Sequence, residues 1–248
     1  MSRFIDELQN LKLNDTSLVV GNPKGGCMVF RQSIAVLLLT VLSVYAKNEP
    51  HILPVGAIEA LSLLKKGNDR FISGIVRTDG QAKEDIARLF EWQGPNAIVL
   101  SCSDSRVSPE IVFDQKLGEI FTVRSAGAVL SPSLVASIDY AVETMGSRLV
   151  VVLGHTNCGA VQCAMDTLGG KSAGSANLNL LVADIHPRIR GKVKQPSKNL
   201  ETESWLNARG AAQDLVKRSD LIARAVTLGK IKIVSGLYSF TTGAVVFD

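Results

Sequence analysis

Two short segments carry the residues able to do chemistry. Cys102-Ser-Asp104-Ser-Arg106 follows the apolar run AIVLS, and Gly154-His155-Thr-Asn-Cys158-Gly159 follows the run LVVVL. Residues just past the carboxyl ends of parallel strands line the ligand crevice of such sheets. If the two runs are neighbouring strands, Cys102, His155 and Cys158 converge there. Two thiolates and one imidazole are a preferred Zn²⁺ donor set, and three protein ligands leave the fourth tetrahedral position free. A structural zinc closes its shell with a fourth Cys or His, whereas Cys163 falls a turn further along a predicted helix. Taken singly, either cysteine reads as an ordinary buried residue. The pair with His155, all at strand ends, reads as a metal set.

Asp104 and Arg106 stand two apart on an extended segment and so share a side. A guanidinium beside a carboxylate lowers its pKa and orients it through paired hydrogen bonds. Such a carboxylate can accept a hydrogen bond from a hydroxide on the metal, or ligate the metal itself. Asp104 is therefore a candidate for both roles.

These residues need a sheet to bring them together. The spacing of Ala57, Ala60, Leu61 and Leu64 predicts a helix over 57–66, with Gly67 as its stop. Ile86, Leu89 and Phe90 predict a second, ended by Gln93-Gly-Pro95. Short apolar runs predict strands over 97–101, 120–123 and 149–153. A helix over 132–145 presents Leu134, Ile138, Val142 and Met145 on one face, with serines at its start for capping. Ser219-Asp220 opens a helix to Leu228, closed by Gly229. The segments 230–238 and 244–247 pair across Thr241-Thr-Gly243. Stretch 169–177 reads as a polar loop. Near-continuous apolar strands between helices predict an α/β domain with a mostly parallel central sheet flanked by helices.

The composition excludes several classes. The chain has 248 residues, 27 Lys+Arg against 23 Asp+Glu, and hydrophobic residues at 46%. That is neither a disordered nor a disulfide-stapled profile, and a charge of +4 without a basic run makes no case for nucleic acid. Gly169-Gly-Lys-Ser172 ends like a phosphate loop, but Met165 occupies the position of the required first glycine. The one long apolar run, 32–46, is too short for a spanning helix, so no stable membrane anchor is expected. Met28-Val-Phe-Arg31, the apolar stretch 34–42 and Val44-Tyr-Ala46 match the n-, h- and c-regions of a cleaved signal. The expected organisation is an N-terminal extension over 1–46, with a signal peptide at 28–46 and Met28 as the true start. A single domain over 47–248, periplasmic or secreted, follows; without cleavage it would be cytoplasmic.

Cys-x-Asp-x-Arg followed by His-x-x-Cys, in the contexts SCSDSRVSPE and VVVLGHTNCGAV, resembles β-class carbonic anhydrase. The likeness extends to ALSLLKKGNDRF, VRSAGAVL, SIDYAV and the terminal IVSGLYSFTTGAVVF. It implies a four-stranded parallel core sheet and an obligate homodimer, or a multiple of dimers, whose N-terminal helix packs on the partner. It also implies zinc-dependent, reversible hydration of carbon dioxide to bicarbonate. Cys102, His155 and Cys158 would be the ligands to one Zn²⁺ per subunit, with Asp104–Arg106 as the catalytic dyad. Gln93, Phe121 and Tyr140 match the substrate pocket of the plant-like subtype, and Val99 stands where the other subtype usually has Trp. Gln93 and the Gly159 amide would hold bicarbonate oxygens, while Phe121 and Tyr140 wall an apolar pocket. Ser125 and Ala128 replace residues often Asn, and Asp139 replaces a usual Glu. His51 and His186 read as surface or packing residues. The competing readings are a carbon disulfide or carbonyl sulfide hydrolase on the same scaffold, and a non-catalytic zinc or redox module.

Overall fold

Five strands form one sheet in the order β2-β1-β3-β4-β5. They are β1 (Ala97–Cys102), β2 (Ile120–Ser125), β3 (Leu149–His155), β4 (Lys232–Tyr238) and β5 (Val245–Phe247). The first four are parallel and β5 returns antiparallel to β4, as the turn chemistry of Thr241-Thr-Gly243 predicts. The computed structural model describes residues 54–193 and 195–248. The expected signal peptide, Lys47 and His51 lie outside the described residues. Among the described residues no helix is long and apolar enough to cross a membrane.

The central strands are buried on both faces, which is why their sequences are continuous apolar runs without alternation. Ile98, Leu100, Val150 and Val152 face one apolar layer, and Val99, Val151 and Leu153 face the other. The first layer is closed by α4 (Pro132–Glu143), α7 (Glu201–Arg218) and α8 (Asp220–Thr227), and the second by α1 (Ala57–Ser73) and α3 (Pro109–Val112). The remaining helices are α2 (Lys83–Arg88), α5 (Gly159–Thr167) and α6 (Ala176–Ile189). Ser131 and Ser219 cap α4 and α8 through the Leu134 and Ile222 amides.

Some elements differ from expectation. α1 runs through Gly67 to Ser73 and stops at Gly74, whose φ of 70° suits a left-handed C-cap. Gly67 answers packing instead: a Cβ there would stand 1.7 Å from the Phe113 carbonyl oxygen. The second helix is shorter than its apolar residues suggest, ending at Arg88 with Phe90 beyond it. Helix α6 begins at Ala176, inside the predicted loop, with Ser175 as its cap. Helix α7 carries no strong apolar stripe. It buries Ala208 and Ala211 beside Ser204 and Asn207, small residues that let it lie close to β3. Gly154 permits that approach, since a Cβ there would reach within 3.0 Å of the Ser204 carbonyl.

Asp114 ties α1 to the loop ahead of β2. It accepts from Arg70 Nε and the Arg77 amide, and Lys116 Nζ lies 3.4 Å away. Burial alone would push this carboxyl up, but Arg70, the Arg77 amide and Lys116 together hold it below the usual carboxylate range. A depressed folded pKa gives stability that is present above the unfolded value and lost as pH falls through the folded one. Asp114→Asn is therefore expected to cost about 3 kcal/mol at neutral pH, by stripping a buried pair of one partner. It should also flatten the loss of stability below pH ~4. Urea melts of both proteins across pH 2–7 check this: parallel acid limbs would contradict it.

Candidate metal centre

β1 and β3 are adjacent and in register, Ser101 opposite Leu153, so both end at the same edge of the sheet. Cys102 is the last residue of β1 and His155 the last of β3, while Cys158 is the N-cap of α5. The Sγ atoms of Cys102 and Cys158 and a ring nitrogen of His155 all lie within 4.8 Å of one another, and all three residues are buried. Asn157 makes the turn between them possible, taking a φ of 53° that Asn tolerates. Cys163 stands apart among the side chains packed between α5 and α6, as expected.

The ring of His155 is oriented from behind. Its Nδ1 lies 2.9 Å from the Thr156 carbonyl oxygen and donates to it, so Nε2 presents its lone pair. Among the described residues only His155 Nε2 and Ser204 Oγ are buried side-chain polar atoms without a hydrogen-bond partner. Both border the cavity lined by Cys102 and Cys158. A buried, unpaired imidazole nitrogen facing two sulfurs is what a metal site requires, and the donor set suits zinc.

The two thiols behave as one acidic pair. The Cys158 thiol and the Gly127 amide donate to Cys102, which carries the first negative charge well below the usual thiol range. With that thiolate beside it, and with burial, Cys158 holds its proton far above the usual range. A dication held by these residues would remove this conflict by accepting both sulfurs as thiolates.

Asp104 stands outside the three-donor group, its carboxylate turned to Arg106. Both its oxygens are engaged by Arg106, at 2.9 Å from Nε and 2.7 Å from Nη2, and the Arg106 amide adds a third bond at 3.0 Å. These bonds hold the carboxyl at about 2. Residues distant in the sequence, outside the two motifs, hold this pair. Arg124 donates to the Cys102 and Asp104 carbonyls at 3.1 and 2.8 Å. Phe240 lies with its ring centroid 4.2 Å from the Arg106 guanidinium and 4.9 Å from the His155 ring. Its amide donates to Thr156 Oγ1, so the turn after β4 braces both halves of the site. Phe240 belongs to the terminal SFTTG stretch, where the likeness marked a match without showing its use.

The substrate-pocket candidates divide. Gly159, first residue of α5, lies beside Cys158 with its amide free of the helix's own bonding. Gln93, Phe121 and Tyr140 are not brought to the metal set within one chain. Phe121 is paired with Ile98, four residues before Cys102, which is about 13 Å along the strand. Gln93 precedes β1 altogether and lines a surface groove with Phe90, Trp92, Tyr140 and Met145. All three belong to the opposite end of the sheet.

A family model described as carbonic anhydrase matches residues 97–245. Carbonic anhydrase 2 of Mycobacterium tuberculosis is 32% identical over 197 residues, covering 79% of this chain and 94% of the relative. The chain belongs to the carbonic anhydrase family. The carbonic anhydrase of Mycolicibacterium smegmatis is 36% identical over 196 residues, with the same coverages of 79% and 94%. The solved Coccomyxa β-carbonic anhydrase in complex with acetazolamide shares the fold, with a TM-score of 0.58 and 23% identity over 75% of this chain and 85% of that one. The chain thus has the fold of the β-class carbonic anhydrases, and zinc is the metal its donor set fits. The three departures from the family pattern leave that donor set alone. Ser125 Oγ donates to the Val129 carbonyl, and Ala128 takes a φ of 52° beside the cavity. Asp139 accepts from Ser219 Oγ at 2.6 Å, joining α4 to the cap of α8. His186 lies 3.0 Å from both Thr167 Oγ1 and the Ala164 carbonyl, which makes it a packing residue.

Proposed function

We propose that this chain hydrates carbon dioxide reversibly, with Cys102, His155 and Cys158 holding one zinc ion and Asp104–Arg106 orienting the nucleophile. The observation that carries this reading is the buried meeting of two sulfurs and an unpaired imidazole nitrogen at the carboxyl ends of adjacent strands. Bound there, zinc supplies the Lewis acidity that brings the pKa of a water toward neutrality. The chain's own residues do the rest. Asp104, kept ionised by Arg106, accepts the O–H of the attacking oxygen and so turns its free electron pair toward the carbon. The Gly159 amide, at a helix N-terminus, is available to an oxygen of the bicarbonate as charge develops there. The engagement of Asp104 with Arg106, and the full burial of Val99 in the core, support the plant-like subtype.

A second copy of the chain supplies Gln93, Phe121 and Tyr140 to this pocket, in a homodimer or a multiple of it. What supports this is their position at the far end of their own sheet, among apolar groups that a monomer leaves in water: Phe90 is 85% exposed and Tyr140 50%. Mixed dimers test it. One subunit carries Cys102→Ser, the other Gln93→Ala with Tyr140→Ala, and each homodimer is inactive. If the pocket is shared, mixed dimers recover one intact site of two, about half of wild-type activity. Mixed dimers that stay at background would overturn it. Parallel stopped-flow assays with carbon dioxide, carbonyl sulfide and carbon disulfide decide the substrate: hydration of carbon dioxide alone supports the reading, and preference for the sulfur gases overturns it.

A further inference from the structure

Behind the metal set lies a charged cluster, centred on a buried arginine, that the mechanism above does not use. Arg188, on α6, has a side chain only 2% exposed. Its Nη2 donates to Asp184 at 2.6 Å, its Nε to Asp214 at 2.9 Å, and its Nη1 to Asn207 Oδ1 at 3.0 Å. Asn207 in turn donates from Nδ2 to the Gly127 carbonyl at 2.8 Å. Gly127 donates its own amide to Cys102 Sγ at 3.3 Å. An unbroken series of hydrogen bonds therefore runs from the Asp184–Arg188–Asp214 cluster to a sulfur of the metal set.

Each bond fixes the sense of the next. A guanidinium only donates, so Arg188 makes Asn207 present its oxygen to α6 and its NH₂ to Gly127. The loop between β2 and α4 is then held where its amide meets the sulfur. Gly127 has a φ of 68°, and a Cβ there would come within 2.8 Å of Ile185 and 2.9 Å of Ala160, so the loop has no room to shift toward α5 or α6. The same cluster holds the far end of the loop, with Asp184 accepting from the Leu130 amide and Arg218 donating to the Leu130 carbonyl at 2.6 Å. Gly210 makes space for the arrangement, since a Cβ on it would stand 2.5 Å from Arg188 Cγ. Burying such a cluster brings little net stability compared with apolar packing. A positional role gives it a reason to be there.

We infer that Arg188 and Asn207 are positioning residues for the metal centre, holding the Gly127 amide against Cys102 and so tempering the charge that this sulfur gives the metal. The inference rests on the zinc reading above. Groups that hydrogen-bond metal ligands alter metal affinity by about 10–100-fold when removed. Asn207→Asp keeps the shape and still accepts from Arg188, but it cannot donate to the Gly127 carbonyl. It is expected to speed zinc loss to a chelator by about tenfold. In the cobalt-substituted protein it should move the thiolate-to-cobalt charge-transfer band to longer wavelength, because a sulfur freed of its hydrogen bond is the better electron donor. Arg188→Lys, which keeps the charge but not the three-way fork, should shift both readouts the same way and serves if Asn207→Asp does not fold. Wild-type zinc retention and an unmoved cobalt band in a folded variant, with only the melting temperature lowered, would overturn the inference. A wild-type protein that binds neither zinc nor cobalt would instead strike the metal reading on which it stands.

Discussion

Cys102→Ser and His155→Ala are each expected to leave a folded protein that retains no zinc and hydrates carbon dioxide at the background rate. Either change leaves two protein ligands where a catalytic zinc takes three. A serine hydroxyl remains protonated near neutral pH, so it replaces a thiolate in shape but not in charge. Folding should survive because the set lies at the very ends of β1 and β3, while the apolar layers that hold those strands lie along their length. Metal analysis should read about one zinc per chain in the wild type and under a tenth of that in the variants. Cys163→Ser is the control, since Cys163 packs between helices away from the set, and it should keep both zinc and turnover. Stoichiometric zinc in Cys102→Ser would remove Cys102 from the ligands.

Asp104→Asn should do the opposite to the metal: zinc stays at one per chain while kcat falls about 10²–10³-fold, within the usual range for a lost general base or orienting acceptor. The substitution is nearly isosteric. Arg106 only donates, so it takes the amide oxygen and turns the NH₂ toward the nucleophile, placing a donor where an acceptor is needed. KM should change little, because carbon dioxide is uncharged and has no need of that carboxylate for binding. The wild-type carboxyl is held at about 2 by Arg106, so Asp104 should add no inflection to the rate profile above pH ~4. Stopped-flow hydration with zinc analysis on the same samples checks both halves; full turnover in Asp104→Asn would remove the dyad from the mechanism.

The sheet and the metal set were legible because both are written in local patterns. The strand runs are continuous and apolar since β1 and β3 are covered on both faces, and each chemical motif directly follows its strand. The helix stop at Gly67 misled for a definite reason: glycine serves close packing as well as turns, and only the approach of the Phe113 carbonyl tells which. Helix α7 is not legible locally because its buried face mixes Ala208, Ala211 and Leu215 with Glu203, Ser204 and Asn207, polar residues that only the packed structure shows to be buried.

By itself, the sequence determined which groups do the chemistry: two cysteines, a histidine, and an aspartate with its arginine, each at a fixed distance past an apolar run. Residue type and short spacing suffice there, because a strand end presents its next few residues in a nearly invariant geometry. Only the tertiary structure decided what surrounds them. It kept Asp104 apart from the three donors, and set Phe240 between Arg106 and His155. It sent Gln93, Phe121 and Tyr140 to the opposite end of the sheet, and it joined Arg188 to Cys102 through Asn207 and Gly127. Most of these relations join residues far apart in the chain, from 19 between Arg188 and Asn207 to 80 between Asn207 and Gly127, and no local pattern encodes them; they arise when strands and helices pack and buried polar groups must find partners.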